Sequence, residues 1–338
     1  MYHTFYKLKE QPFRLTPDPA FMCMTSLHQE ALAGLVYSVC TRPGLAVLTG
    51  EAGTGKTTTL YALLALLEKR GFITALCTNP VLSREELFDF LTTKFATNCT
   101  SLLKNRQLSA LYDTLLRNRA EGRPSVLIID EAHRLPMELL EEVRLLLNLE
   151  TPQEKLLQII IAGQPELRDI LQRPELRQFK QRVSCQCRLN PLTVPELKEY
   201  IDHRLAQAGL PGQTLFSDTV VRRIHEYTDG IPRLVNSLCE TALQAGFAVR
   251  NAEITVETVD EVAKDLDLQR ALPQNFENEL GGFAESAAVY HAAAGEQGYN
   301  GHQAHTGDAR VPLESYASRQ KSLSFFGHML DRWKTSRH

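Results

Sequence analysis

The stretch from Gly44 to Thr59 restricts this chain to few folds. An apolar run, Leu45 to Leu48, leads into Thr49-Gly50-Glu51-Ala52-Gly53-Thr54-Gly55-Lys56-Thr57-Thr58, and a helical pattern starts at the lysine. Gly50, Gly55, Lys56 and Thr57 fill the spacing G-x-x-x-x-G-K-[ST]. Each choice has a physical reason. Glycines let the backbone turn tightly and aim its N–H groups at an anion, and a helix N-terminus behind them adds partial positive charge. A lysine there reaches the β/γ-phosphates, and the threonine hydroxyl takes a place on Mg²⁺. The expected nucleotide-binding residues are therefore Gly50, Glu51, Ala52, Gly53, Thr54, Gly55, Lys56, Thr57 and Thr58, with ATP and Mg²⁺ as ligands.

Around this loop the pattern alternates between strands and helices. The apolar stretches Leu45–Leu48, Phe72–Cys77, Val126–Ile129 and Leu157–Ile161, and the alternating stretch Val183–Leu189, read as strands. Continuous apolar strands separated by helices imply a parallel sheet covered on both faces, so the fold class is α/β. Ser83 with Glu86, and Thr193 with Glu196, are spaced as capping boxes. Helices are expected at 28–40, from Lys56 to Lys69, at about 104–120, and from Met137 to Leu149. After Pro191 only helical patterns remain: to Ala208, Ser217 to about Tyr227, Gly230-Ile231-Pro232-Arg233 to about Val249, and Val256 to Leu266.

This divides the chain into an ordered N-terminal arm (1–27), an ATPase core (28–190) and an all-α lid domain (191–268). A flexible linker (269–320) and an amphipathic C-terminal segment (321–338) follow. The arm carries Phe5, Tyr6, Pro12, Phe13, Pro17, Pro19 and Phe21, too apolar for a free tail and too broken for a long helix.

The strand Val126–Ile129 runs into Asp130-Glu131 at its C-terminal end, where parallel-sheet ligands bind. Asp130 is expected to hold Mg²⁺ through a water, beside Thr57, and Glu131 to orient and deprotonate the attacking water. Asp130-Glu131-Ala132-His133 also spells a helicase box, but such a helicase needs a second ATPase-like domain that 191–338 does not offer. His133 then reads as a helix-start or network residue. Gln164, ending the strand after Ile161-Ala162-Gly163, is placed to hydrogen-bond the γ-phosphate or the water. Arg182, after the run Arg173, Arg177, Lys180, is the expected arginine finger into a neighbouring subunit, with Arg177 in reserve. Arg233 stands at a helix start, where a cation opposes the dipole unless an outside anion compensates, and ATP phosphates would supply one.

The residues together resemble the AAA+ ATPases of the general-secretion-pathway A type. The likeness runs from the arm to about residue 266, through Phe5-Tyr6-Lys7-Leu8, Pro12-Phe13, Thr16-Pro17-Asp18-Pro19, the Leu48-Thr49-Gly50 loop, Asp130-Glu131-Ala132-His133, Gly163-Gln164-Pro165-Glu166-Leu167 and Gly230-Ile231-Pro232-Arg233. The resemblance implies a P-loop AAA+ core with a small helical lid, nucleotide at their junction, and assembly into rings or arcs. It also implies Gln164 as sensor 1 and Arg233 as sensor 2. Secretion members of the type continue into a transmembrane helix and a periplasmic peptidoglycan-binding domain. Neither is expected here, so the sequence looks closer to the short cytoplasmic relatives of exopolysaccharide and exosortase systems.

Bulk properties refine the expectation. A net charge of -3 gives no global drive toward nucleic acid. No apolar run approaches the ~20 residues needed to cross a bilayer, and the seven scattered cysteines suit a reducing compartment. Cys185 and Cys187 share a strand face but make a poor metal site, since four ligands are the usual structural set. The expected protein is a cytoplasmic, homo-oligomeric ATPase, peripheral at most to the inner membrane, that serves an envelope export system. Its C-terminal segment, with Leu323, Phe326, Leu330 and Trp333 on one face, would dock an inner-membrane or export-machinery partner. The alternatives are a DNA-dependent regulator of the transposition-targeting type, using the Arg173–Arg182 run and Arg222-Arg223, and a slow nucleotide switch. Adenine contacts are not fixed by the motifs; Phe13 and the arm near it are the candidates, with ordinary packing of the arm as the alternative.

Overall fold

The computed structural model describes residues 2–15, 21, 23–41, 44–97, 103–210, 212 and 215–270. The linker from 271 onward, the amphipathic C-terminal segment and Thr16-Pro17-Asp18-Pro19 lie outside the described residues.

Five parallel strands form one sheet: β1 (Leu45–Gly50), β2 (Ile73–Cys77), β3 (Ser125–Ile129), β4 (Leu157–Gly163) and β5 (Val183–Leu189). Their spatial order is β2-β3-β4-β1-β5. The phosphate-loop strand β1 is therefore flanked by β4 and β5, and the ends of β3 and β4 open beside it. β1, β3 and β4 are buried along their whole length, which is why their sequences are mostly apolar, with Thr49, Ser125 and Gln158 the buried polar exceptions.

Helices cover both faces: α2 (Ser26–Thr41), α3 (Lys56–Lys69), α4 (Arg84–Lys94), α5 (Lys104–Ala120) and α6 (Met137–Leu146), with the short α7 (Glu166–Gln172) and α8 (Arg177–Lys180) between β4 and β5; a four-residue α1 (Tyr2–Phe5) opens the arm. On one face Leu63, Leu67, Leu35 and Val36 pack on Ala46, Leu48, Val126 and Ile160; on the other, Phe88, Leu91, Leu115 and Leu140 pack on Val47, Leu127, Ile129 and Ile161. α6 stops at Leu146, three residues short of the expected end, where the chain turns into an antiparallel bridge between Glu150 and Lys155. The Ser83 capping box holds, with Ser83 N–H on Glu86 at 2.6 Å and Glu86 N–H on Ser83 Oγ at 3.2 Å.

Four helices make the second unit: α9 (Val194–Gln207), α10 (Asp218–Thr228), α11 (Pro232–Ala248) and α12 (Val256–Asp265). Its apolar core also takes in arm residues Tyr6, Leu8, Phe13 and Phe21. Arg204 of α9, 7% exposed, ties the arm down by donating to the carbonyls of Pro12 at 2.6 Å and Arg14 at 3.3 Å. Lys9 N–H bonds Ala208 O at 2.8 Å and Tyr6 Oη bonds Asn251 O at 3.0 Å. Arg270, inside the stretch read as linker, reaches back to Tyr227 Oη at 3.2 Å and Asp260 at 3.3 Å.

Candidate nucleotide site

The glycine-rich turn between β1 and α3 folds as its composition requires. Gly53 and Gly55 have φ of +87° and +95°, values that L side chains rarely adopt. Lys56 is 5% exposed, and its Nζ donates to Gly50 O at 2.8 Å and Glu51 O at 2.9 Å. Burial lowers its pKa, opposed by the nearby acids Glu131 and Asp130. An anion in the loop would meet an ammonium that has little water to give up. Ala52, Gly53, Gly55, Lys56, Thr57 and Thr58 line a cavity of about 570 Å³, whereas Gly50 and Thr54 are buried behind it and Glu51 is exposed.

The acids stand where the sheet topology puts them. β3 ends at Ile129, so Asp130 and Glu131 project beside β1's loop two strands away. Thr57 Oγ1 donates to Asp130 Oδ2 at 2.7 Å, and Asp130 Oδ1 accepts the Glu131 N–H at 2.9 Å. A hydroxyl and a carboxylate at this separation are two hard oxygen donors of the kind Mg²⁺ takes together with waters and phosphate oxygens. Glu131 has φ of +53°, an uncommon backbone for glutamate. The turn aims its side chain into the cavity, which it lines.

His133 joins the acid to the end of β4. Its Nδ1 accepts the Gln164 backbone N–H at 3.3 Å, while its Nε2 lies 3.3 Å from Gln164 Nε2 and 3.6 Å from Glu131 Oε2. Gly163 makes this possible, because an added Cβ would stand 3.2 Å from His133 N and 3.3 Å from its Nδ1. Gln164 lines the cavity opposite the loop.

The helical unit closes the far side. Arg233, one residue into α11, lines the cavity. Its backbone N–H donates to Gly53 O at 3.3 Å. Arg182 and Arg177 lie outside the cavity on the exposed face before β5, with Arg182 3.4 Å from Asn148 Oδ1.

Phe13 requires a correction. It is fully buried in the helical unit, edge-on to Phe216 at 5.9 Å, and does not line the cavity. The arm does reach the site, through Arg14, Leu15, Phe21 and Cys23. His28 went unnoticed in the sequence. Its Nε2 donates to Thr54 O at 3.1 Å, leaving Nδ1 to accept from Thr25 Oγ1 at 2.7 Å, and an added Cβ on Gly55 would come within 2.8 Å of the ring. A lone histidine near a helix start carries no local signal of this role; only the approach of α2 to the loop creates it.

A parallel sheet in this order, with a phosphate loop after the interior strand β1 and a helical unit over the loop, is an AAA-type P-loop fold. Residues 40–171 match the AAA domain family. The chain is 40% identical over 252 residues to general secretion pathway protein A of Aeromonas hydrophila, covering 73% of this chain and 45% of that relative. It thus spans less than half of the relative's length, and over that stretch the resemblance to the general-secretion-pathway A type holds. Two of the solved structures that share the fold illustrate it. Cdc6p from Pyrobaculum aerophilum superposes with a TM-score of 0.56 at 19% identity, covering 78% of this chain and 70% of that one. Drosophila ORC bound to DNA superposes with a TM-score of 0.58 at 15% identity, covering 98% and 79%. Among the described residues no helix is long and apolar enough to cross a membrane.

Proposed function

We propose that the chain is an Mg²⁺-dependent ATPase that binds ATP between core and lid, hydrolyses it, and thereby drives or regulates assembly of an envelope export system. One observation carries this reading: a single cavity collects Lys56 and Thr57 of the loop, Glu131 after β3, Gln164 after β4 and Arg233 of the lid. Mg²⁺, held by Thr57 and water-linked Asp130, would offset charge on the β/γ-phosphates. Loop amides and Lys56 hold those phosphates. Glu131 accepts the proton of the attacking water, His133 and Gln164 fix its position, and Arg233 senses the γ-phosphate from the lid. Exposed Arg182, with Arg177 in reserve, is suited to reach the site of a neighbouring copy in a ring or arc. The secretion assignment rests on the name of the secretion-pathway relative, while the exopolysaccharide alternative and a place at the inner membrane are carried over from the sequence.

A DNA-dependent regulator is the second reading, favoured by the exposed cations Arg173, Arg177, Lys180 and Arg182. Its other patch is weakened, because Arg223 is spent on Asp260 at 2.7 Å and Glu226 at 3.1 Å. Steady-state phosphate release with and without duplex DNA, beside Glu131→Gln, separates the two. Turnover indifferent to DNA and lost in the variant supports the export ATPase. Stimulation of several-fold that fades with salt supports the regulator, and ATP binding without turnover leaves a nucleotide switch.

A further inference from the structure

The lid wall of the cavity holds a hydrogen-bond chain whose direction is fixed by chemistry. Arg204, Tyr200 and Asn236 all line the cavity. Arg204 Nη1 meets Tyr200 Oη at 2.7 Å, and Tyr200 Oη meets Asn236 Oδ1 at 2.9 Å. A guanidinium can only donate, so the tyrosine oxygen accepts from it and its own proton goes to the Asn236 carbonyl oxygen. The amide cannot flip without setting its NH₂ against the phenol proton.

Arg204 itself is held from three sides. It donates to Pro12 O and Arg14 O, and its guanidinium lies 5.5 Å from the Phe21 and Tyr200 rings. Among the described residues no carboxylate pairs with it, so it has no competing acceptor to turn toward. Asn236 is 7% exposed, and its side-chain hydrogen bond among the described residues runs through Oδ1 to Tyr200. It sits one helical turn beyond Arg233 on α11 and lines the cavity along with the arm residues Leu15 and Phe21.

We infer that Asn236 is a base-reading residue, its Nδ2–H donating to an acceptor ring nitrogen of the nucleobase, with Tyr200 and Arg204 as positioning residues that fix its polarity. The inference rests on the reading of the cavity as an ATP site. It goes beyond that reading by naming the selective atom and the relay that aims it. A fixed donor rewards an acceptor and leaves itself unpaired against a base that lacks one.

The test is titration calorimetry of the full chain with Mg·ATP and with Mg·tripolyphosphate, which carries the phosphates and no base. Asn236→Leu is expected to weaken ATP on the order of tenfold, the worth of one net hydrogen bond, and to leave tripolyphosphate unchanged. Tyr200→Phe, which frees the amide to flip, is expected to move ATP in the same direction by less. One of the 1-, 3- or 7-deaza analogues of ATP should bind the wild type with the variant's weakness and lose nothing further in Asn236→Leu, as a double-mutant cycle requires. Tripolyphosphate binding also reports that each variant is folded. Equal weakening of both ligands, or no weakening of ATP, overturns the relay while leaving the ATP site standing. A wild type that binds neither ligand overturns the ATP site and the relay with it.

Discussion

The Arg233 backbone N–H donates to the Gly53 carbonyl at 3.3 Å, and a Cβ on Gly53 would stand 2.7 Å from Arg233 Cβ. The lid therefore rests on the phosphate loop through a glycine that has no room to become anything else. Gly53→Ala must both strain a φ of +87° and push the lid away. We expect it to weaken ATP at least tenfold by calorimetry. Gly122→Ala, at φ of +74° with nothing within 4 Å of the added Cβ, serves as the control. It should cost about 1 kcal/mol of stability and leave ATP affinity alone. Unchanged binding in Gly53→Ala would show that lid seating and nucleotide binding are independent.

His28 braces the loop from α2, and burial lowers its pKa below the ordinary 6.5 despite the Thr54 carbonyl. The folded state thus takes up its proton at lower pH than the unfolded state does. Stability linked to His28 is full above about pH 6.5 and declines as pH falls through that value, until the folded imidazole also protonates. The melting temperature of the wild type should drop from pH 7.5 to 5.5 by more than that of His28→Gln. Parallel profiles would rule His28 out as the source.

Glu131 lies 3.6 Å from His133, which in turn contacts Gln164. Glu131→Gln should cut turnover by about 10²–10⁴ while ATP still binds, because the loop contacts do not involve its carboxylate. His133→Ala should lower turnover less, by loosening Gln164 rather than removing the base. Phosphate release and ATP titration on the same preparations check both; wild-type turnover in Glu131→Gln would place the base elsewhere.

Arg182 and Arg177 are exposed and outside their own cavity. If either acts on a neighbour, Arg182→Ala should lose turnover with ATP affinity intact. Mixing it with Glu131→Gln should then restore part of the activity, since some interfaces pair an intact Glu131 with an intact arginine. Arg177→Ala is the parallel arm. A mixture no more active than the two separate variants counts against a trans role.

The elements that the sequence marks well are those with local causes. β1, β3 and β4 are predominantly apolar because both faces are covered, and the Ser83–Glu86 pair announces α4 by satisfying its own orphan N–H groups. The acids Asp130 and Glu131 were legible for the same reason, since a buried strand that ends in two carboxylates has to leave the sheet there. The short helices α7 and α8 lie in a stretch read only for the motif Gly163–Leu167 and the basic residues Arg173, Arg177 and Lys180, and α6 ends early because a local bridge between Glu150 and Lys155 claims the following turn.

By itself the sequence determined the phosphate loop, the α/β core and the change to an all-α unit after Pro191, because spacing, glycine placement and apolar periodicity act over a few residues. Tertiary structure alone decided which side chains share the cavity. Phe13, named with the nearby arm as a candidate adenine contact, is instead packed in the lid core against Phe216, while His28, Tyr200, Arg204 and Asn236 look ordinary and meet at the site. Beside local partners such as Thr25 and Tyr200, their contacts reach across as many as 192 residues of sequence, and no local pattern encodes an encounter that only the packing of arm, lid and core brings about.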